Sequence, residues 1–289
     1  MPCRARACNV PHIEVTGYLR QVKLTDDALH ATAEARVEFD VVGAIGVIRL
    51  VNPPLNPLTH RMRSQLCEIA SAISDRADVR AVVLTGSGAR ALSVGSDINE
   101  FPVSVGQGRE VSANEHAAYA ALENMPQPLI AVIRGHTLGG GLELALVADI
   151  RVAERTATLA FPEVAVGVFA SGGGTQRLPG IVGEGRARHL LLLGETIDAP
   201  TAESWGLVTR VVPQGRGERE ALDLAQRLAR LPQRALRATK RCVNAGLRYG
   251  RDAGHAAEIE SIAEVYGSHD AQEGASAFLE KRTAQFTHI

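Results

Sequence analysis

With 289 residues, 45% of them apolar, and a formal net charge of −1, the chain is long enough to bury a large core and too apolar to stay disordered. That charge gives no bulk attraction to nucleic acid or to a membrane surface, and no apolar run approaches the ~18 residues of a membrane span. Scarce aromatics and 28 glycines favour an α/β chain with many turns.

Residues 1–36 mix charge, proline and short apolar pieces without a period, and read as a partly ordered extension. Residues 37–41 alternate as a half-buried strand does, 43–46 turn, and 47–50 pair back as a hairpin. Three prolines between Asn52 and Pro57 remove backbone donors and make that segment a loop. Met62, Leu66, Ile69 and Ile73 fall on one face of an amphipathic helix, with Cys67 beside it. Residues 81–85 are a short apolar run of the kind that forms a buried parallel strand. Gly86 to Ala91 fits the G-x-G-x-x-A dinucleotide pattern, but turn-like residues follow where that pattern needs a helix, so the segment is read as a loop. A helix near 113–124, a strand at 129–134, a helix at 141–148 and strand-like runs at 148–153 and 158–161 continue a βαβ rhythm. Asp198 caps a helix that runs through Ser204 and ends at Gly206, with a strand at 208–212. From Glu218 the chain is helical, with Arg227, Arg230, Arg234, Arg237, Lys240 and Arg241 read as a solvated face.

The chemistry concentrates in Arg134-Gly135-His136-Thr137-Leu138-Gly139-Gly140-Gly141-Leu142-Glu143-Leu144. A strand ends, three glycines let the backbone approach a ligand, and the following helix start presents unpaired N–H donors suited to a developing oxyanion. Glu143 lies in the first turn, beside those donors; a plain glycine turn with Glu143 complementing the helix dipole reads equally well. His136 is read as a satisfied structural histidine and Trp205 as core. A second carboxylate, Glu163, follows Phe161-Pro162 at the end of a strand-like run, and Gly172-Gly173-Gly174 then opens another helix. Acids at two strand–helix junctions can face one cleft, and in unlike environments they divide acid and base work. The sequence has no P-loop, no H-E-x-x-H, no G-x-S-x-G and no metal-ligand spacing among its nine histidines.

Over about residues 37–289 the chain resembles the crotonase, or enoyl-CoA hydratase/isomerase, superfamily. The resemblance rests on Asn52-Pro53-Pro54-Leu55-Asn56-Pro57-Leu58, Val94-Gly95-Ser96-Asp97-Ile98, Gly135 to Leu144 with Ala148-Asp149-Ile150, and Phe161-Pro162-Glu163 with Gly173 to Leu178. It implies an α/β spiral of repeated ββα units over 37–230, a C-terminal helical module over 231–289, and a homotrimer or a hexamer built as a dimer of trimers. It also implies a thioester oxygen held between the N–H groups of Ser96 and Gly140. Glu143 would activate a water and Glu163 would deliver a proton to C2. By the same resemblance Asn56, Leu58, Val94, Asp97, Ile98, Gly139 and Gly141 contact substrate, and Lys281, in Phe278-Leu279-Glu280-Lys281-Arg282, reaches CoA phosphate. Arg61 or Arg63 would replace the lysine missing from the first loop. No metal or separate cofactor is implied, because coenzyme A enters as part of the substrate.

Two departures stand out: Ser96 in place of a usual alanine, and Ala170-Ser171 in place of Pro-Gly. The expected activity is hydration of a 2-enoyl-CoA to a 3-hydroxyacyl-CoA. The enzyme alternative is an isomerase or another acyl-CoA-transforming relative. A different class is a catalytically silent protein of this fold that binds a partner or RNA; both glutamates and the lack of net basic charge argue against it. Cys3, Cys8, Cys67 and Cys242 are scattered, as in a reducing cytoplasmic compartment, and a mitochondrial presequence stays open although Glu14, Asp26 and Asp27 oppose one spanning the whole extension.

Overall fold

The structure, a computed structural model, describes residues 34–288. The expected extension falls outside those residues as far as residue 33, and Arg36 already opens a strand. Strands β1 (Arg36–Val42) and β2 (Ile45–Val51) form the expected antiparallel hairpin. Helix α1 (His60–Ser74) follows, capped by the Thr59 side chain. Next come β3 (Ala81–Gly86), β4 (Ala91–Ser93), α2 (Val105–Asn124), β5 (Leu129–Ile133), β6 (His136–Leu138) and α3 (Gly140–Leu146). Strands β7 (Ile150–Glu154) and β8 (Thr158–Ala160) lead to α4 (Gly174–Val182), α5 (Glu184–Leu193), β9 (Ile197–Asp198), α6 (Ala199–Ser204) and β10 (Arg210–Val212). The chain closes with α7 (Gly217–Ala229), α8 (Gln233–Tyr249), α9 (Arg251–Tyr266) and α10 (His269–Leu279).

The strands make two sheets. The larger has the order β1-β2-β3-β5-β7-β10 and the smaller β4-β6-β8-β9. The chain alternates between them, long strand then short strand, with β2, β3, β5 and β7 parallel in one and β4, β6 and β8 parallel in the other. This is the expected spiral of ββα turns. The larger sheet is covered on both faces, which is why β3 reads as a continuous apolar run and is buried throughout. Strand alternation sends Val82 and Leu84 toward Met62, Leu66 and Ile73 of α1, and Val83 toward Ala221 and Ala225 of α7. Each such fully buried Val or Leu contributes about 1.5–3 kcal/mol.

Two expectations need correction. Helix α2 begins at residue 105, not near 113; the Ser104 hydroxyl caps the N–H of Gln107 and carries the helix through Gly106 and Gly108. The basic side beyond Glu218 is only partly a solvated face. Lys240 is buried, pairing with Asp149 at 2.8 Å and donating to the Gln127 carbonyl at 3.0 Å. No described helix is long and apolar enough to cross a membrane. The Gly86 to Ala91 segment is a loop that runs into strand β4, so the helix required by the dinucleotide reading is absent there.

Candidate active site

The small sheet delivers the site. Its three parallel strands end side by side, and each hands over to a segment that bears a predicted residue. After β4 the chain turns to Ser96. Leu58 grips that turn on both sides, donating to the Gly95 carbonyl at 2.7 Å and accepting from the Asp97 N–H at 2.9 Å. After β6, Gly139 is the N-cap of α3 and Gly140 its first residue. After β8, a 3-10 turn over Pro162–Val166 carries Glu163 in its first turn. Neither the Ser96 N–H nor the Gly140 N–H has an acceptor among the described residues. A Cβ on Gly140 would lie 3.7 Å from the Ser96 nitrogen, so the two donors are neighbours.

Glu143 sits one turn into α3 and is 2% exposed. Its Oε1 accepts from the N–H groups of Gly172 at 2.9 Å and Gly174 at 2.7 Å, the glycines that precede and open α4. A side chain on Gly172 has no room: its Cβ would meet Glu143 Oε2 and the Tyr119 ring, both at 2.7 Å. Burial pushes the Glu143 carboxyl up to about 8 against these hydrogen bonds, and the charges of Glu115 and Glu163 push the same way. Burial, with help from Glu115, raises Glu163 to about 7. Glu163 Oε1 lies 3.0 Å from the place a Cβ on Gly139 would take, against the start of the helix that carries Glu143. Its Oε2 is buried without a partner among the described residues. Two carboxyls with such neighbouring values titrate as a pair that keeps about one proton near neutral pH, which suits one acid and one base.

The raised values have a consequence for stability. Both groups bind protons more tightly folded than unfolded, so their contribution is full below the ordinary value of 4.5 and is lost as pH rises through about 7 and 8. Glu143→Gln is therefore expected to raise the melting temperature by several degrees at pH 8.5, through up to roughly 4 kcal/mol, and by little at pH 4.5. Calorimetry at the two pH values checks this; equal shifts at both would contradict it.

Other predicted residues take different positions. Asn56 is fully buried with φ +51, and its amide is spent inside the loop: Nδ2 donates to the Ser87 and Ala91 carbonyls, both at 3.0 Å, and Oδ1 accepts from Ser87 and Asn52. No atom of that amide is left for substrate, so Asn56 shapes the loop. The Leu58 side chain is in the core. Gly141 is a packing glycine, since a Cβ there would meet the Ser93 carbonyl oxygen at 2.2 Å. Asp97 caps its own 3-10 turn through the Asn99 N–H, Val94 is half-buried beside Gly95, and Ile98 is exposed. Arg63 cannot reach CoA phosphate: it is 1% exposed and paired with Glu115. Arg61 pairs with Glu34. Lys281 is exposed with φ +57 just past α10. His136 is satisfied by Thr158 at 2.9 Å, and Trp205 packs half-buried on the core. A separate cavity of about 540 Å³ between α8, α9 and the end of α2 is lined by none of the predicted site residues, but by Arg234, Arg237, Lys240 and Arg241 of the basic run.

The sequence reading missed Glu115 and Tyr119 on α2, Arg63 in its buried role, and the Gly172 and Gly174 amides. A usable signal was present: Ser112, Glu115, Tyr119 and Glu123 recur at helical spacing.

The family described as Enoyl-CoA hydratase/isomerase matches residues 40–288. A probable enoyl-CoA hydratase of Mycobacterium bovis is 35% identical over 245 residues, covering 84% of this chain and 95% of that protein. A crotonyl-CoA hydratase of Syntrophomonas wolfei is 34% identical, covering 82% and 92%. The solved enoyl-CoA hydratase of Bacillus anthracis superposes with a TM-score of 0.83 at 32% identity, covering 88% and 99%.

Proposed function

The chain belongs to the enoyl-CoA hydratase/isomerase family and is an enzyme of that type, and from this premise we propose that it adds water across the double bond of a 2-enoyl-CoA to give the 3-hydroxyacyl-CoA. The observation that carries the reading is a buried glutamate, Glu143, and a half-buried one, Glu163, both raised above the usual carboxylate range, beside two unengaged N–H donors. The pair titrates as a unit, and from its form with the proton on Glu163, Glu143 takes a proton from water as the water oxygen bonds to C3. The C2=C3 electron pair moves onto the thioester, whose oxygen is held by the Ser96 and Gly140 N–H groups. C2 then takes a proton from Glu163, and proton exchange with solvent resets the pair. Two acids serve an addition of water, whereas moving a double bond needs only one.

The chemistry calls for no cofactor, since coenzyme A arrives with the substrate. Exposed apolar side chains follow both catalytic segments, Ile98 and Phe101 after Ser96 and Val164, Val166 and Phe169 after Glu163, and they offer an acyl chain its contact surface. Loss of enoyl absorbance with crotonyl-CoA and longer 2-enoyl-CoAs tests the reading; no loss at any chain length would sink it. Gly172→Ala is expected to lower kcat at least about tenfold by displacing the Glu143 carboxyl, with little change in KM. A wild-type kcat in that variant would show that the cradle does not set the position of Glu143.

Exposed Leu247, Tyr249, Ile259, Tyr266, Phe278 and Leu279 on α8 to α10 support a trimer or a dimer of trimers, which sedimentation tests; a monomer at micromolar concentration would exclude both. Cys67 and Cys242 are free thiols, in keeping with a reducing cytoplasmic setting.

A further inference from the structure

One face of α2 bonds to three parts of the site: Ser96, Gly140 and the loop before α4. Its polar side chains at positions 112, 115, 119 and 123 span about 16 Å along the helix axis. The Ser112 hydroxyl donates to the Ser171 carbonyl at 3.1 Å, in the loop leading to the glycine amides that hold Glu143. Glu115 Oε1 accepts from the Ser96 hydroxyl at 3.0 Å and from Arg63 Nη2 at 2.7 Å, and Arg63 Nη2 also donates to the Ser96 hydroxyl at 2.7 Å. The Tyr119 hydroxyl donates to the Gly140 carbonyl at 2.8 Å. Glu123 accepts two bonds from Arg177, both at 3.0 Å, and Arg177 Nη1 donates to the Gly172 carbonyl at 3.2 Å.

Burial makes this costly. Arg63, Glu115 and Tyr119 are 1%, 3% and 0% exposed. A buried ion pair adds little net stability, because desolvation offsets its attraction. Its geometry, however, is held tightly, since a misplaced buried polar group loses its partner with no water to replace it. This buried network bonds the two residues that present the unengaged N–H donors: Gly140 through its carbonyl, and Ser96, itself exposed, through its hydroxyl. Ser96 stands where an alanine would supply the same N–H, so the hydroxyl adds only the tie to Arg63 and Glu115.

We propose that the polar face of α2 is the positioning element of the oxyanion hole, with Glu115 and Arg63 holding Ser96 and Tyr119 holding Gly140 at the separation a thioester oxygen requires. These are positioning residues, and the proposal rests on the hydratase reading. It has an electrostatic side. The Glu115 carboxylate faces Glu143 on α3, Glu163 on the 3-10 turn, Arg63 on α1 and Tyr119 on its own helix. Replacing that charge by an amide removes a repulsion from both glutamates and leaves the Arg63 charge unopposed. Both changes favour the ionised glutamates.

The test uses Ser96→Ala, Tyr119→Phe and Glu115→Gln in the full chain, with kcat, KM and the red shift of a bound conjugated enoyl-CoA, which reads carbonyl polarisation directly. Ser96→Ala and Tyr119→Phe are expected to lower kcat about tenfold each, with KM within about threefold and a smaller red shift. Glu115→Gln is expected to move both limbs of the pH–rate profile to lower pH. Wild-type kcat and red shift in Ser96→Ala and Tyr119→Phe would overturn the proposal, as would a kcat loss matched by lost melting temperature with the shift intact. If wild type polarises the bound enoyl group but hydrates nothing, the hydratase reading fails, and the red shifts of the variants still decide the positioning role.

Discussion

Glu163→Gln is expected to lower kcat for hydration by about 10²–10⁴-fold, the usual worth of a general acid or base, with KM near the wild-type value. The amide has the shape of the carboxyl but no proton to give C2, so only the chemical step loses. The partnerless Glu163 Oε2, buried beside the start of α3, marks the group as poised rather than structurally employed. Glu143→Gln should fall as far, because its amide oxygen still fits the Gly172 and Gly174 N–H groups while the base is gone. Steady-state kinetics near pH 7.5 check both. Near-full hydration in Glu163→Gln would remove the two-acid mechanism. Hydration lost in Glu143→Gln with double-bond migration retained would favour the isomerase reading.

Gly140→Pro is expected to abolish turnover in a folded protein. Gly140 is the first residue of α3, the helix position that best accepts proline, since its N–H has no helical partner in any case. The Gly140 carbonyl, which takes the Tyr119 bond, is untouched by the change. What disappears is one of the two proposed oxyanion donors, worth about 10²–10³ in rate, and the ring would fill the place proposed for the thioester oxygen. Circular dichroism and kcat together check this. A folded variant with normal turnover would put the oxyanion hole elsewhere.

Much of this was legible from short range. Glu143 and Glu163 announce themselves by glycine and proline at strand ends, and β2, β3 and β5 by their apolar runs. What escaped depends on contacts far apart in sequence. Arg63 looked like a surface cation because nothing near it in the chain hints at Glu115, 52 positions on. Asn56 matched a binding motif, yet its bonds to Ser87 and Ala91, 31 and 35 positions away, use up its amide. Helix α2 was shortened at its start by two glycines whose low propensity the Ser104 cap and tertiary packing overcome. Lys240 in a basic run gave no sign of its ion pair with Asp149, 91 positions back.

The small sheet separates what such a chain can vary from what it cannot. The proposed reacting groups follow closely on three short paired strands, and a one-residue slip of β6 against β8 would turn its side chains to the opposite face. The exposed apolar side chains from Ile98 to Val105 and from Val164 to Phe169 lie further along, on segments that no strand ladder constrains. On the proposed reading, inherited changes there can lengthen, shorten or reshape the accepted acyl chain while the addition of water stays as it was. Relatives descended from one ancestor can therefore diverge in diet without reinventing their chemistry.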